Sequence, residues 1–166
     1  MKKNIKLGAV AAACMLCSSL SIAEPEALHV SKSVDVNAPA AEVWKLVGNY
    51  NAIPTWHPAV TTSDLTGTGY AHGDIRVLTL KDGAKIYDEL TVYEDLEKSY
   101  TYRLIKSPLP LFGYIGQLSV VDNKQGGSTV TWSSRFYADG VGDDEAMNII
   151  DGVYASGLES LKVKYQ

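Results

Sequence analysis

The chain has 166 residues, with 15 lysines and arginines against 19 aspartates and glutamates, a net charge of −4. Three of those lysines lie in the first 23 residues; without them 12 basic residues face 19 acidic ones, which disfavours nucleic acid and anionic membrane surfaces as partners and leaves basic proteins among the conceivable ones. Both cysteines, Cys14 and Cys17, sit in that same segment, so the remainder must be held by packing rather than by disulfides.

In chain order, Lys2, Lys3 and Lys6 precede an apolar stretch from Leu7 to Leu20, and Ser21-Ile22-Ala23 follows as a small-x-small cleavage site. This predicts a secretory signal peptide over residues 1–23, with no membrane span, because the apolar stretch is short for a bilayer. A lipidated cysteine would need a larger aliphatic residue where Ala11 stands, so cleavage after Ala23 is the expectation. What is left, residues 24–166, is long enough to bury roughly 70% of its unfolded surface as one domain, periplasmic or secreted.

Val30 to Val36 alternates as a strand, and Asn37 then offers a side-chain oxygen to cap a helix whose first turn tolerates Pro39. Ala40, Val43, Trp44 and Val47 form that helix's apolar stripe, and Gly48 ends it. Two prolines around Trp56 and His57 favour a short helical piece or turn from Tyr50 to Pro58. Six strands follow, near Val60 to Leu65, Asp74 to Leu80, Lys85 to Tyr93, Ser99 to Lys106, Phe112 to Val121 and Ser128 to Ala138. Short connections such as Lys81-Asp82-Gly83 make them antiparallel hairpins. A long helix closes the chain, with Asp143 to Glu145 in its first turn and Lys162 and Lys164 in its last, as its dipole favours. Its expected stripe is Met147, Ile150, Tyr154, Leu158, Leu161 and Tyr165, and Gly152 and Gly157 allow a close approach or a kink.

Strand, helix, six antiparallel strands and a terminal helix is the order of an α+β helix-grip fold, in which a curved sheet wraps the last helix. Val36-Asn37-Ala38-Pro39, Val43-Trp44, Trp56-His57-Pro58 and the run Leu78 to Leu90 resemble the SRPBCC or START-like superfamily, in its polyketide cyclase/dehydrase-like branch. Leu80 to Gly83, Asp88-Glu89-Leu90, Ser107 to Pro110 and Tyr114 also resemble the smaller group of secreted MxaD-type methanol-oxidation accessory proteins. A lipocalin-like barrel is the alternative fold, disfavoured by the helix between the first two strands.

A sheet curled around a helix leaves an apolar cavity, and alternation nominates its lining. Ile86, Asp88, Leu90 and Val92 share the inner phase of one strand, which makes Asp88 the odd carboxylate inward. Tyr100, Tyr102 and Leu104, then Tyr114, Gly116, Leu118 and Val120, then Val130, Trp132, Ser134 and Phe136 continue it. Trp132 and Phe136 read first as ordinary core, whereas the Tyr102 and Tyr114 hydroxyls need a partner that a ligand or water can supply. Asp88 reads as a functional carboxylate with a raised pKa or as a satisfied structural one. Trp56 and His57 stand at the expected cavity mouth, where packing or capping is favoured for His57 over acid–base chemistry. Arg76, Arg103 and Arg135 all read as a solvated face.

His29, His57 and His72 fit no metal spacing, and no nucleophile set, phosphate loop or nucleotide motif is present, so neither metal nor cofactor is expected. The resemblance implies a carrier or accessory protein that holds a hydrophobic or aromatic small molecule or assists a periplasmic enzyme. For the MxaD-like group that partner is a methanol dehydrogenase passing electrons to its cytochrome. The alternative it implies is a cyclase or aromatase using Asp88, His57 and tyrosines to steer an enolate. Export disfavours that alternative, because such enzymes act on cytoplasmic carrier-protein thioesters.

Overall fold

The computed structural model describes residues 26–166, and the signal peptide expected over residues 1–23 lies outside them. Seven antiparallel strands form one curved sheet: β1 (Leu28–Val36), β2 (Val60–Thr66), β3 (Ile75–Leu80), β4 (Lys85–Glu94), β5 (Ser99–Lys106), β6 (Leu111–Asp122) and β7 (Ser128–Ala138). Their spatial order is β1-β7-β6-β5-β4-β3-β2, so the five hairpins after β2 run in sequence and β1 adds itself to the far side of β7. β1 and β2 are thus opposite edges, and the chain crosses between them through α1 (Ala40–Val47) and a 3-10 turn (Ile53–Thr55). The long helix α2 (Asp143–Lys164) fills the concave face, which is the helix-grip arrangement expected.

Along most strands every second residue faces that side and is largely apolar, and the pattern breaks where a bulge adds a residue. Register shifts between Tyr87 and Asp88 and between Leu90 and Val92 bend β4 against β5. The second of these overturns one expectation: Val92 turns outward at 45% exposure, and Tyr93 swings in against Trp44 instead, with ring centroids 5.7 Å apart.

The start of α1 is a second correction. Asn37 does not cap it; the helix-starting amide of Ala40 donates to Asp122 Oδ1 at 2.7 Å, from the end of β6. The backbone N–H of Asn37 instead bonds the carbonyl of Tyr165 at 3.0 Å and ties β1 to the end of α2. On α1 the predicted stripe of Ala40, Val43, Trp44 and Val47 is buried. On α2 the buried residues are Ala146, Ile150, Tyr154, Gly157, Leu158 and Leu161, with Met147 and Tyr165 only partly covered. Gly157 replaces a side chain where the helix comes nearest the 3-10 turn and β7: a Cβ there would lie 2.6 Å from His57 and 3.1 Å from both Trp56 and Trp132.

Candidate functional site

Between α2, the 3-10 turn and the inner faces of β2 to β7 lies a cavity of about 100 Å³. Leu78, Leu80, Ile86 and Leu104 supply its apolar sheet wall, and Ile150 and Val153 supply the helix wall. Polar chemistry enters at two places, a charge pair on β3 and β4 and a chain of phenols reaching from β5 to α2.

The charge pair follows from the hairpin. The tight turn over Lys81 to Gly83 fixes the register so that Leu78 faces Ile86 and Arg76 faces Asp88 directly across the two strands. Arg76 and Asp88 are each only 1% exposed. Arg76 therefore does not belong to the solvated face assigned to it with Arg103 and Arg135, which do stand in solvent. Its Nε donates to Asp88 Oδ2 at 2.9 Å, and Nη2 lies 2.9 Å from the same oxygen. Its Nη1 donates to the carbonyl of Tyr50, and the guanidinium lies 3.9 Å from the centre of the Tyr50 ring. Burial works against the arginine's charge, but Asp88 together with Tyr50, Tyr100 and Tyr102 more than offsets it and Arg76 stays cationic. Burial likewise pushes the Asp88 carboxyl up from its ordinary value, and the guanidinium opposes that push. Asp88 Oδ1 is buried without a hydrogen-bond partner among the described residues.

The phenol chain begins at Trp132, whose indole N–H donates to the Tyr102 hydroxyl at 2.9 Å. Tyr102 and Tyr114 hydroxyls are 3.0 Å apart, and Tyr114 bonds in turn to Tyr154 of α2. Gly116, directly opposite Tyr102 on β6, leaves room for the Tyr102 ring, which a Cβ would meet at 2.7 Å. Burial pushes the Tyr102 and Tyr114 phenols well above their usual range and Tyr154 upward too, so all three are neutral donors and acceptors at physiological pH.

His57 also lines the cavity but has no free nitrogen. Its Nδ1 accepts from the Ala59 amide at 3.2 Å, which leaves Nε2 to carry the proton and donate to the Val153 carbonyl at 3.0 Å. Burial lowers its pKa, partly countered by the Val153 bond, so the ring is a neutral bracket between the turn and α2.

Of the eight residues nominated from sequence, Asp88, Tyr102, Tyr114, Trp132 and His57 line the cavity. Trp56, Ser134 and Phe136 do not. Trp56 packs behind the wall, edge-on to Trp132 at 5.5 Å; Phe136 stacks on the far side of Tyr114 at 6.1 Å; Ser134 is buried next to Tyr154. Inner-face alternation nominates every inward residue of a strand, whereas only those level with the gap under α2 reach it. Sequence reasoning missed Arg76 and Tyr154 as cavity residues. Arg76 was findable, since counting outward from Asp82 pairs it with the inward Asp88.

Among the described residues no cluster of three or more His, Cys, Asp or Glu could hold a metal ion, and no helix is long and apolar enough to cross a membrane.

Residues 27–166 match the family model described as polyketide cyclase / dehydrase and lipid transport. Among solved structures the chain is similar to the protein XoxI of Bacillus cereus, at 33% identity over 82% of this chain and 94% of that one, with a TM-score of 0.78. It is similar to an uncharacterized protein of Bacillus thuringiensis at 32% identity over 83% and 98%, TM-score 0.78. A protein of Thermobifida fusca gives 32% identity over 82% and 92%, TM-score 0.74. No curated protein matches the chain.

Proposed function

The chain belongs to the polyketide cyclase / dehydrase and lipid transport family, and from that premise we propose that it is an exported binding or accessory protein whose cavity holds a small hydrophobic or aromatic molecule. The observation that carries this reading is the cavity itself: apolar walls with a few buried polar groups at fixed positions are the composition of a site that orients a greasy ligand. At about 100 Å³ the space is below the roughly 300–1,000 Å³ common for drug-sized ligands and near the roughly 150 Å³ of an engineered cavity in another protein that takes up benzene. A small ring therefore suits it better than a long lipid chain. The leader over residues 1–23 supports action outside the cytoplasm.

An enzyme of the cyclase type is the competing reading. General acid–base work needs a group free to take or give a proton within reach of the substrate. Both nitrogens of His57 are engaged, and although Asp88 Oδ1 has no partner among the described residues, the Arg76 guanidinium held on Oδ2 opposes protonation of that carboxylate. This favours binding over turnover. An accessory role beside a periplasmic enzyme, as the MxaD-like motifs suggest, is compatible with a bound ligand and adds a protein partner to it.

Native mass spectrometry of the mature protein, purified gently from its own host's periplasm and followed by organic extraction, tests the reading. A reproducible mass increment from a small organic molecule is expected. An empty protein would overturn the binding reading and make affinity capture of a partner the next step.

A further inference from the structure

The cavity's polar groups are not equally free to meet a ligand. The three phenols and the Trp132 N–H bond one another in a continuous chain, so each of these polar atoms has a partner. Each nitrogen of Arg76 has a partner, Nε and Nη2 at Asp88 Oδ2 and Nη1 at the Tyr50 carbonyl. His57 has spent both nitrogens. Asp88 Oδ1 is different: it belongs to a side chain that lines the cavity, it is out of solvent, and among the described residues nothing donates to it. A buried carboxylate oxygen without a donor is expensive to leave so, and an occupant that donates recovers that cost.

The buried polar atom of the cavity lining that is left without any partner among the described residues is thus an acceptor, and it favours an occupant that donates. The ion pair is already neutral as a unit, so an anionic ligand would set like charge against Oδ1 in a dry site, and a ligand that only accepts hydrogen bonds would set lone pair against lone pair. Volume sets the size at about one six-membered ring. Building on the binding reading above, we infer that Asp88 Oδ1 selects a neutral, single-ring-sized ligand carrying a hydroxyl or N–H donor, the ring lying against the apolar wall of Leu78, Ile86 and Leu104.

Phenol, toluene and pyridine serve as probes: the first two are near-isosteric and differ in the donor, while the third only accepts. Each is titrated into the mature protein at neutral pH, with the indole N–H resonance of Trp132 as the readout. Phenol is expected to bind at least about 10-fold more tightly than toluene, with pyridine weaker than phenol. In Asp88→Asn the amide oxygen stays with Arg76 and an NH₂ donor replaces Oδ1, so phenol's advantage should shrink to about 3-fold or less and pyridine should gain. If the three probes bind the wild-type protein with no preference, the cavity is a binding site and the role given to Asp88 is overturned; a trapped water satisfying Oδ1 would give that result. If none binds, the binding reading falls together with this inference. Should Asp88→Asn fail to fold, the wild-type ranking alone decides.

Discussion

Gly157 of α2 approaches His57 so closely that a methyl group on the glycine would lie 2.6 Å from His57 Cδ2. Trp56 and Trp132 close the same gap at 3.1 Å, and His57 Nε2 bonds the Val153 carbonyl one turn earlier, so this is where the 3-10 turn and the sheet seize the helix. Exchanging glycine for alanine inside a helix is ordinarily worth about 0.5–1 kcal/mol of stability. At Gly157 the overlap with packed rings outweighs that gain, and Gly157→Ala should destabilise by about 1–3 kcal/mol. Gly152, on the same helix with open space around it, is the control: Gly152→Ala should stabilise by about 0.5–1 kcal/mol. Urea denaturation of both variants checks the pair, and a stabilised Gly157→Ala would mean that the rings yield.

The bracket made by His57 predicts a pH effect whose sign follows from its neutral state. Burial lowers its folded pKa, whereas the unfolded chain takes up a proton near the ordinary value of about 6.5. The unfolded state therefore binds more protons in the window below about pH 6.5, and stability should fall as pH drops through it toward the folded pKa. Comparing denaturation midpoints near pH 7.5 and pH 5.5 should show the loss, and His57→Gln, which keeps an N–H for Val153 but cannot titrate, should show a smaller one. An equal loss in the variant would assign the effect to other groups.

What the sequence made legible, and what it did not, follows from the range of each interaction. Period-two alternation placed Asp88, Tyr102, Tyr114 and Trp132 inward, because a pleat dictates facing locally. It lost Val92 at the Leu90/Val92 bulge, which depends on how β4 meets β5 and leaves no mark in the residues of β4 alone. It gave α1 its cap from Asn37, next to it in sequence, when the cap came from Asp122 on β6, brought there by the sheet's closure. Arg76 was misplaced because both phases of β3 hold apolar residues, Ile75 and Val77 on one and Leu78 and Leu80 on the other, so periodicity could not choose. Pairing could: an inward carboxylate requires a partner, and the hairpin turn names it.

The Arg76–Asp88 pair should show its coupling in a double-mutant cycle. Arg76→Met leaves the Asp88 carboxylate buried without its cation, and Asp88→Leu leaves the guanidinium without its anion; each should cost about 3–5 kcal/mol. Replacing both by apolar residues removes the two desolvation costs together, so Arg76→Met/Asp88→Leu should be far more stable than the sum of the single effects predicts. Denaturation midpoints of the four proteins give the coupling directly. Additive single effects would mean that the pair contributes nothing as a pair.

The phenol chain predicts resistance to alkali. Tyr102 and Tyr114 are pushed well above their ordinary range by burial, and Tyr50, Tyr100 and Tyr154 are raised as well, so these five should stay protonated in the folded protein where an unfolded chain ionises near pH 10. A group whose folded pKa lies above its unfolded value contributes stability that is complete below the unfolded pKa and is lost as pH rises through the folded one. The native protein should therefore lose stability progressively above about pH 10, and its tyrosinate absorbance should rise in two stages. An early stage reports the accessible rings, and a late one coincides with loss of the far-ultraviolet circular dichroism signal. Tyr114→Phe removes the central hydroxyl, which is bonded on both sides, and takes one partner from each of Tyr102 and Tyr154. It should cost about 1–3 kcal/mol and bring the late stage to lower pH, because the protein then unfolds sooner. Were all ten tyrosines to titrate in one reversible step with the fold intact, the chain of buried hydroxyls would not exist as described.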